Sequence, residues 1–87
     1  MLADFNVAWK KIVEHEGEVF LTKMGLEFVY RINGNILRTN RTDYGIHKSN
    51  FSSAWRSLPT EGPGALSRTI RGSSYVWAIL NDIRIKD

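Results

Sequence analysis

Residues 26–39 read Leu-Glu-Phe-Val-Tyr-Arg-Ile-Asn-Gly-Asn-Ile-Leu-Arg-Thr, and they contain the clearest strand and turn pattern of the chain. Between residues 26 and 32, apolar side chains alternate with charged or mixed ones, which is the period-two pattern of a strand with one buried face. The Asn33-Gly34 pair that follows readily adopts the left-handed dihedrals of a type I′ turn. Residues 35–39 can then return as the next strand, so we predict an antiparallel hairpin over residues 26–39.

The alternation also assigns the two faces of the first strand of this hairpin. Phe28 and Tyr30 would point towards a core, and Glu27, Val29 and Arg31 would then lie on the other face. An antiparallel sheet commonly packs one face on its core and leaves the second face to water or to a partner. We therefore expect the function to reside on this second face.

Ahead of the hairpin, the helical spacing of apolar residues predicts an amphipathic helix over residues 4–15. Asp4 is placed to cap the first turn of this helix, and Gly17 follows its last turn. The β-branched and bulky residues of segment 18–22 predict one more strand. Residues 40–48 predict a loop that contains a short extended piece around residues 44–46.

After this loop, apolar residues recur at positions i, i+3, i+4 and i+7 and predict a second helix over residues 50–57. Ser49 has the side chain of a helix cap, and Pro59 ends the helix because it cannot continue the backbone hydrogen bonding. Residues 59–64 form a stretch rich in proline and glycine, which predicts a loop too short to separate two domains.

The last part of the chain predicts a third helix over residues 74–82, with Ser73 or Ser74 as its cap. Residues 75–80 also alternate as a strand would, so the pattern leaves helix and strand open there. The tail, residues 83–86, alternates apolar and basic side chains and predicts a short edge strand.

These elements predict an α+β fold. A small three-stranded antiparallel sheet would carry an N-terminal helix and two C-terminal helices on one face. A chain of 87 residues can bury one small core and is too short for two domains, so we expect a single compact domain over residues 1–87.

The composition limits where the protein works. The longest uncharged apolar run, residues 75–80, is far shorter than the roughly 20 residues of a membrane-spanning helix. The first residues lack the charged start and apolar centre of a secretory signal. The chain contains no cysteine, which is uncommon among small exported domains. We therefore expect a cytoplasmic protein without a membrane partner.

The net charge of +3 is concentrated in the middle of the chain. Residues 31–56 carry five basic residues against Asp43, a local charge of +4, whereas the start of the chain is acidic. Clustered Lys and Arg attract phosphate groups, so one interpretation is a nucleic-acid-binding module built on the hairpin and the loop after it. Its candidate phosphate contacts are Arg31, Arg38, Arg41, Lys48, Arg68 and Arg71.

A second interpretation is a small non-enzymatic interaction protein that forms a homodimer. Trp9 and Trp55 lie on the apolar stripes of their helices and should anchor the core, whereas Trp77 falls outside its stripe, near Asn81 and Arg84. An exposed Trp is typical of an interface or of a small-ligand pocket. The candidate interface or ligand residues are therefore Trp77, Asn81 and Arg84. A symmetric dimer would complete the burial of a small core.

Enzymatic chemistry has little support in the sequence. His15 and His47 are the only histidines, and they lie 32 positions apart, which is not a metal-ligand spacing. The serines near residue 73 lack the surrounding glycines of a nucleophile elbow, and no phosphate-binding glycine motif is present. We predict no catalytic residue, no metal and no cofactor.

The closing segment, residues 73–85, together with Phe51, Ala54 and the Leu58-Pro59 pair, resembles small uncharacterised bacterial proteins of the kind carried on mobile gene cassettes. Such proteins have no assigned chemistry. The resemblance therefore implies a bacterial, cytoplasmic accessory protein and assigns no site residue.

Overall fold

The computed structural model describes residues 4–59, 62–67 and 70–86. In chain order its elements are α1 (Phe5–Glu14), β1 (Val19–Leu21), β2 (Glu27–Asn33), β3 (Ile36–Thr39), β4 (Ile46–His47), α2 (Lys48–Ser57), a 3₁₀ turn (Pro63–Leu66), α3 (Ser73–Leu80) and α4 (Ile83–Lys86). The α+β class predicted from the sequence is confirmed.

The sheet has four antiparallel strands in the order β1-β2-β3-β4, one more than the three we predicted. The hairpin of β2 and β3 is present, and its register pairs Tyr30 with Thr39 and Asn33 with Ile36. The extra strand, β4, comes from the predicted loop. Ile46 pairs with Leu37 there, which buries its side chain beside the core. A two-residue strand is too short to show an alternating pattern in the sequence, and it is recognised by its pairing with β3.

The helices cover one face of the sheet, and a single apolar cluster fills the space between them. Every strand and every described helix contributes to this cluster. Its largest fully buried side chains are Tyr30, Phe20, Phe28 and Phe51. Trp9 and Trp55 are buried as predicted, and the rings of Trp9 and Phe51 lie 5.6 Å apart, which joins α1 to α2.

A hydrogen bond from the sheet fixes the end of α1. Asp4 caps the start of the helix as predicted, accepting from the amide of Asn6 at 2.7 Å. At the other end the Tyr30 hydroxyl donates to the carbonyl of Ile12, one of the carbonyls that a helix leaves without an internal partner. Burial raises the pKa of Tyr30, so the hydroxyl keeps the proton that it donates.

Two predicted helix caps are wrong. The N-cap of α2 is His47, whose Nδ1 accepts from the amide of Ser49 at 3.0 Å. The reason is that β4 runs directly into α2, so its last extended residue occupies the capping position. The N-cap of α3 is Gly72, at φ 75°, and the serines at 73 and 74 are the first residues of the helix.

The predicted edge strand over residues 83–86 is also wrong, because these residues form α4. Asp82 starts this short helix: its side chain accepts from the amide of Arg84 at 2.9 Å, and its carbonyl accepts from Ile85. The turn buries Ile85 and leaves Ile83 exposed. Residues 75–80, which the sequence left open, are helical. No helix in the described ranges is long and apolar enough to cross a bilayer.

Candidate functional site: the open face of the sheet

The side of the sheet that faces away from the helices is the main candidate site, and we call it the open face. Alternate strand residues point there, as the burial pattern of each strand shows. The predicted assignment of β2 is confirmed, with Phe28 and Tyr30 buried inside. The outward side chains are Val19, Leu21, Glu27, Val29, Arg31, Asn33, Ile36, Arg38 and His47.

One end of the open face is apolar. Val19 and Val29 lie directly opposite each other on β1 and β2, and Leu21 comes next along β1. Val19 is 51% exposed and Leu21 is 55% exposed. Leu26 and Met24, in the turn between β1 and β2, are also exposed, but they lie on the helix side, where they line a cavity together with Tyr75 of α3. A soluble domain seldom leaves neighbouring aliphatic side chains open to water unless a partner covers them.

The phenylalanine and tyrosine side chains of the strands all lie on the covered side. The ring centroids of Phe20 and Phe28 lie 6.1 Å apart, and those of Phe20 and Tyr30 lie 5.2 Å apart. Within the described strands the open face therefore carries no Phe, Tyr or Trp ring on which a base could stack, and its one imidazole, that of His47, caps α2.

Two arginines face each other across the middle of the open face. Arg31 on β2 pairs in register with Arg38 on β3. Like charges directly opposite each other repel. Glycines on either side give each guanidinium room: a Cβ on Gly17 would lie 2.7 Å from Nη1 of Arg31, and a Cβ on Gly45 would lie 3.6 Å from Cζ of Arg38. The guanidinium of Arg31 therefore lies towards Gly17 and that of Arg38 lies towards Gly45, so the two point apart.

Neither arginine has an ion-pair partner among the described residues. In the part of the chain that the structure describes, no carboxylate lies within 4.0 Å of Arg31 or Arg38. The same holds for the Glu27 carboxylate, on the same face of β2. These charges are therefore available to groups outside the molecule.

The other predicted phosphate contacts are dispersed. Nε of Arg41 donates to the carbonyl of Glu27 at 2.9 Å, so this side chain completes the backbone bonding of β2 where β3 has ended. Lys48 lies on the helix side of the sheet, 5.6 Å from the ring of Trp9. Arg71 stacks on Tyr44 at 3.9 Å. Arg68 lies outside the described residues. The structure thus brings Arg31 and Arg38 together, with Arg41 at the border.

The three residues of the predicted interface or ligand set are not brought together as a free surface. Trp77 is half-buried against the core, and the Asn81 side chain donates to the Trp77 carbonyl at 2.9 Å, which closes the end of α3. Arg84 turns towards β1, where its guanidinium covers the ring of Phe20 at 3.7 Å.

Arg84 is held by three further groups. It donates to both carboxylate oxygens of Asp82, to Glu18 at 3.1 Å and to the carbonyl of Val19 at 3.0 Å. The Asp82 carboxylate raises the pKa of Arg84, so the guanidinium stays charged. The role of this residue is to fasten α4 to β1, a connection that no local pattern in the chain predicts.

A cavity of about 220 Å³ lies between the β1–β2 turn and the start of α3. Its lining includes Lys23, Met24, Leu26 and Tyr75. The ammonium of Lys23 lies 5.9 Å from the ring centroid of Trp77. Trp77 does not line this cavity, and the ligand pocket near Trp77 stays a prediction.

The histidines have local contacts. Nδ1 of His15 lies 2.9 Å from the Glu18 carboxylate, and His47 caps α2. No group of three or more potential metal ligands occurs within residues 4–59, 62–67 and 70–86.

Comparison with known proteins found no matching family model, no matching curated protein and no matching solved structure. The resemblance to gene-cassette proteins stays a prediction. The function must be argued from the geometry of the open face.

Proposed function

We propose that this protein is a small, non-enzymatic interaction protein that pairs with a second copy of itself through the open face of its sheet. The observation that carries this proposal is the pair of exposed aliphatic side chains Val19 and Leu21, beside the half-buried Val29, on the face opposite the described helices. Burying apolar surface of this kind is the main favourable contribution to protein association.

The size of the face sets the expected strength. Strands about 4.8 Å apart, with a rise of about 3.3 Å per residue, give the four short strands a flat face of roughly 250 Å². A standard interface buries about 800 Å² on each partner, so the dimer should be weak and concentration-dependent. Each valine that becomes buried contributes up to about 1.5 kcal/mol.

Sedimentation of the protein over a concentration series tests the proposal. We expect the apparent mass to rise from 10.0 kDa towards twice that value as the concentration increases. The useful range is about 10 μM to about 1 mM, because a small interface associates weakly. The double variant Val19→Thr/Val29→Thr keeps the shape and β-propensity of both side chains and should stay monomeric.

The matched control is Val7→Thr/Val13→Thr on α1, where both valines are 46% exposed. This variant makes the same chemical change on the helix side and should dimerise like the wild type. A wild-type protein that remains at 10.0 kDa across the whole range would contradict the proposal.

A cytoplasmic location is part of this proposal. The cysteine-free composition and the gene-cassette resemblance support a bacterial accessory protein that works in the cytoplasm.

Nucleic-acid binding is the second candidate, and the Arg31–Arg38 pair favours it. Two arginines on adjacent strands, whose guanidiniums point apart and have no carboxylate partner among the described residues, are suited to contact phosphates. The absence of a Phe, Tyr or Trp ring from the described strands on the open face counts against it, as do the engaged positions of Lys48 and Arg71.

Titration of labelled single- and double-stranded DNA and RNA at low and physiological salt tests this candidate. Two phosphate contacts predict a slope of about −1.8 for the logarithm of the binding constant to duplex DNA against that of the salt concentration. Arg31→Gln/Arg38→Gln should abolish such binding, whereas Lys10→Gln/Arg56→Gln, on the helices, should not. No binding at low salt would eliminate the candidate.

A further inference from the structure

We infer that the two copies stack with their β2 strands antiparallel about Val29, so that Glu27 of each copy faces Arg31 of the other. This inference rests on the proposed self-association and specifies its geometry. The partner is a second copy of this chain.

The outward side chains of β2 are the first support. Glu27, Val29 and Arg31 follow one another on the open face as an acid, an aliphatic residue and a base. The charged residues lie two positions on either side of Val29, each about 6.6 Å along the strand. Two such strands laid antiparallel over each other therefore place an acid opposite a base on both sides of Val29.

Symmetry turns this pattern into a geometry. A two-fold dimer uses the same surface on both copies, so that surface must complement itself. A two-fold axis through Val29, in the plane of the interface and across the strands, places Glu27 over the partner copy's Arg31 twice. An axis along the strands would instead place Glu27 on Glu27 and Arg31 on Arg31. Charge complementarity selects the first arrangement.

The neighbouring strands agree with this choice. Val19 extends the apolar centre from Val29 onto β1, in the row through which the axis passes. Arg38 adds a second positive charge beside Arg31, at the end that would receive the acid of the other copy. Within the described residues neither Glu27 nor Arg31 has an ion-pair partner of its own, so no internal contact must be broken.

Charge-reversed variants test the antiparallel stacking, because they change the pairs of charges that this arrangement brings together. Glu27→Arg places four bases against one another, and Arg31→Glu places four acids, so we expect each variant alone to self-associate at least about tenfold more weakly than the wild type. An equimolar mixture of the two variants restores one acid opposite one base at both contacts. The mixture should therefore associate with an affinity close to that of the wild type.

Two controls separate this effect from a change of net charge or a loss of folding. Glu14→Arg on α1 and Arg56→Glu on α2 make the same charge changes at exposed helix positions and should not change the self-association. The neutral variants Glu27→Gln and Arg31→Gln should weaken it less than the reversals, and circular dichroism should show wild-type secondary structure in all of them.

The outcomes distinguish the stacking from the self-association on which it rests. A wild-type protein that stays monomeric overturns both. In a second outcome, the wild type forms a dimer that Val19→Thr/Val29→Thr dissociates, but the two charge-reversed variants do not associate when mixed. This outcome supports the self-association and overturns the antiparallel stack. Recovery on mixing, seen by sedimentation equilibrium, supports it.

Discussion

Gly45 shows how a single residue shapes the open face. It precedes β4 and lies beside Ile36 and Arg38, where a Cβ would be only 2.4 Å from Cγ2 of Ile36. Real Cβ atoms do not approach a neighbour so closely. The missing side chain therefore lets Ile36 lie across this edge of the sheet and gives the guanidinium of Arg38 room to point away from Arg31.

At the residue scale we predict that Gly45→Ala lowers the free energy of unfolding by about 1 to 3 kcal/mol, because the added methyl group overpacks the contact with Ile36. The second variant, Gly45→Ala/Ile36→Ala, removes the obstacle and should cost less than the sum of the single changes. Urea denaturation measures all of these values.

Gly64→Ala is the matched control for this cycle. A Cβ at Gly64 meets no atom within 4 Å, so the free energy of unfolding should hardly change. Strictly additive effects of the Gly45 and Ile36 substitutions would contradict the close contact.

At the scale of elements, the patterns that repeat along the chain could be predicted. The alternation of residues 26–32 gave the hairpin and the outward positions of Val29 and Arg31, which belong to the candidate site. The helical stripe of α1 and its Asp4 cap were predicted for the same reason. Each of these features depends on residues close together in the sequence.

The features that the sequence did not yield depend on distant partners or on very short elements. β4 is defined by Leu37 and Ile36 of β3. The tail that forms α4 has only four residues, and alternation over four residues does not distinguish a strand from a helix. Asp82, directly ahead of the tail, is the residue that indicates a helix, because its side chain caps the first turn. The contact of Arg84 with Glu18 joins residues 66 positions apart.

In the whole molecule, Arg84 connects α4, at the end of the described chain, to Glu18 and Val19 at the start of β1. Hydrogen bonds from His15 and then from Arg84 lower the pKa of Glu18 below its ordinary value of 4.5. A hydrogen bond from Arg84 lowers the pKa of Asp82 below 3.8. Acids with a lowered pKa stabilise the fold above their ordinary pKa, and this contribution is lost as the pH falls through the lowered value.

We therefore predict that Arg84→Gln lowers the free energy of unfolding at about pH 6, and that its difference from the wild type shrinks as the pH falls below about 4, through the lowered pKa values of the two carboxyls. Urea denaturation at several pH values measures this difference. Arg56→Gln removes an exposed positive charge without an ion-pair partner among the described residues, and its difference from the wild type should not depend on pH in this range. An Arg84→Gln difference that is constant with pH would contradict the prediction.

The hydrogen bond from Arg84 to the Val19 carbonyl also occupies an outer edge position of β1. Open strand edges recruit further strands and lead to fibres, because every added strand exposes a new edge. Face-to-face stacking, in contrast, ends at two copies, because each copy has one open face. The small α4 helix thus favours a closed assembly over unlimited growth, and a chain that lost it would gain a route to aggregation.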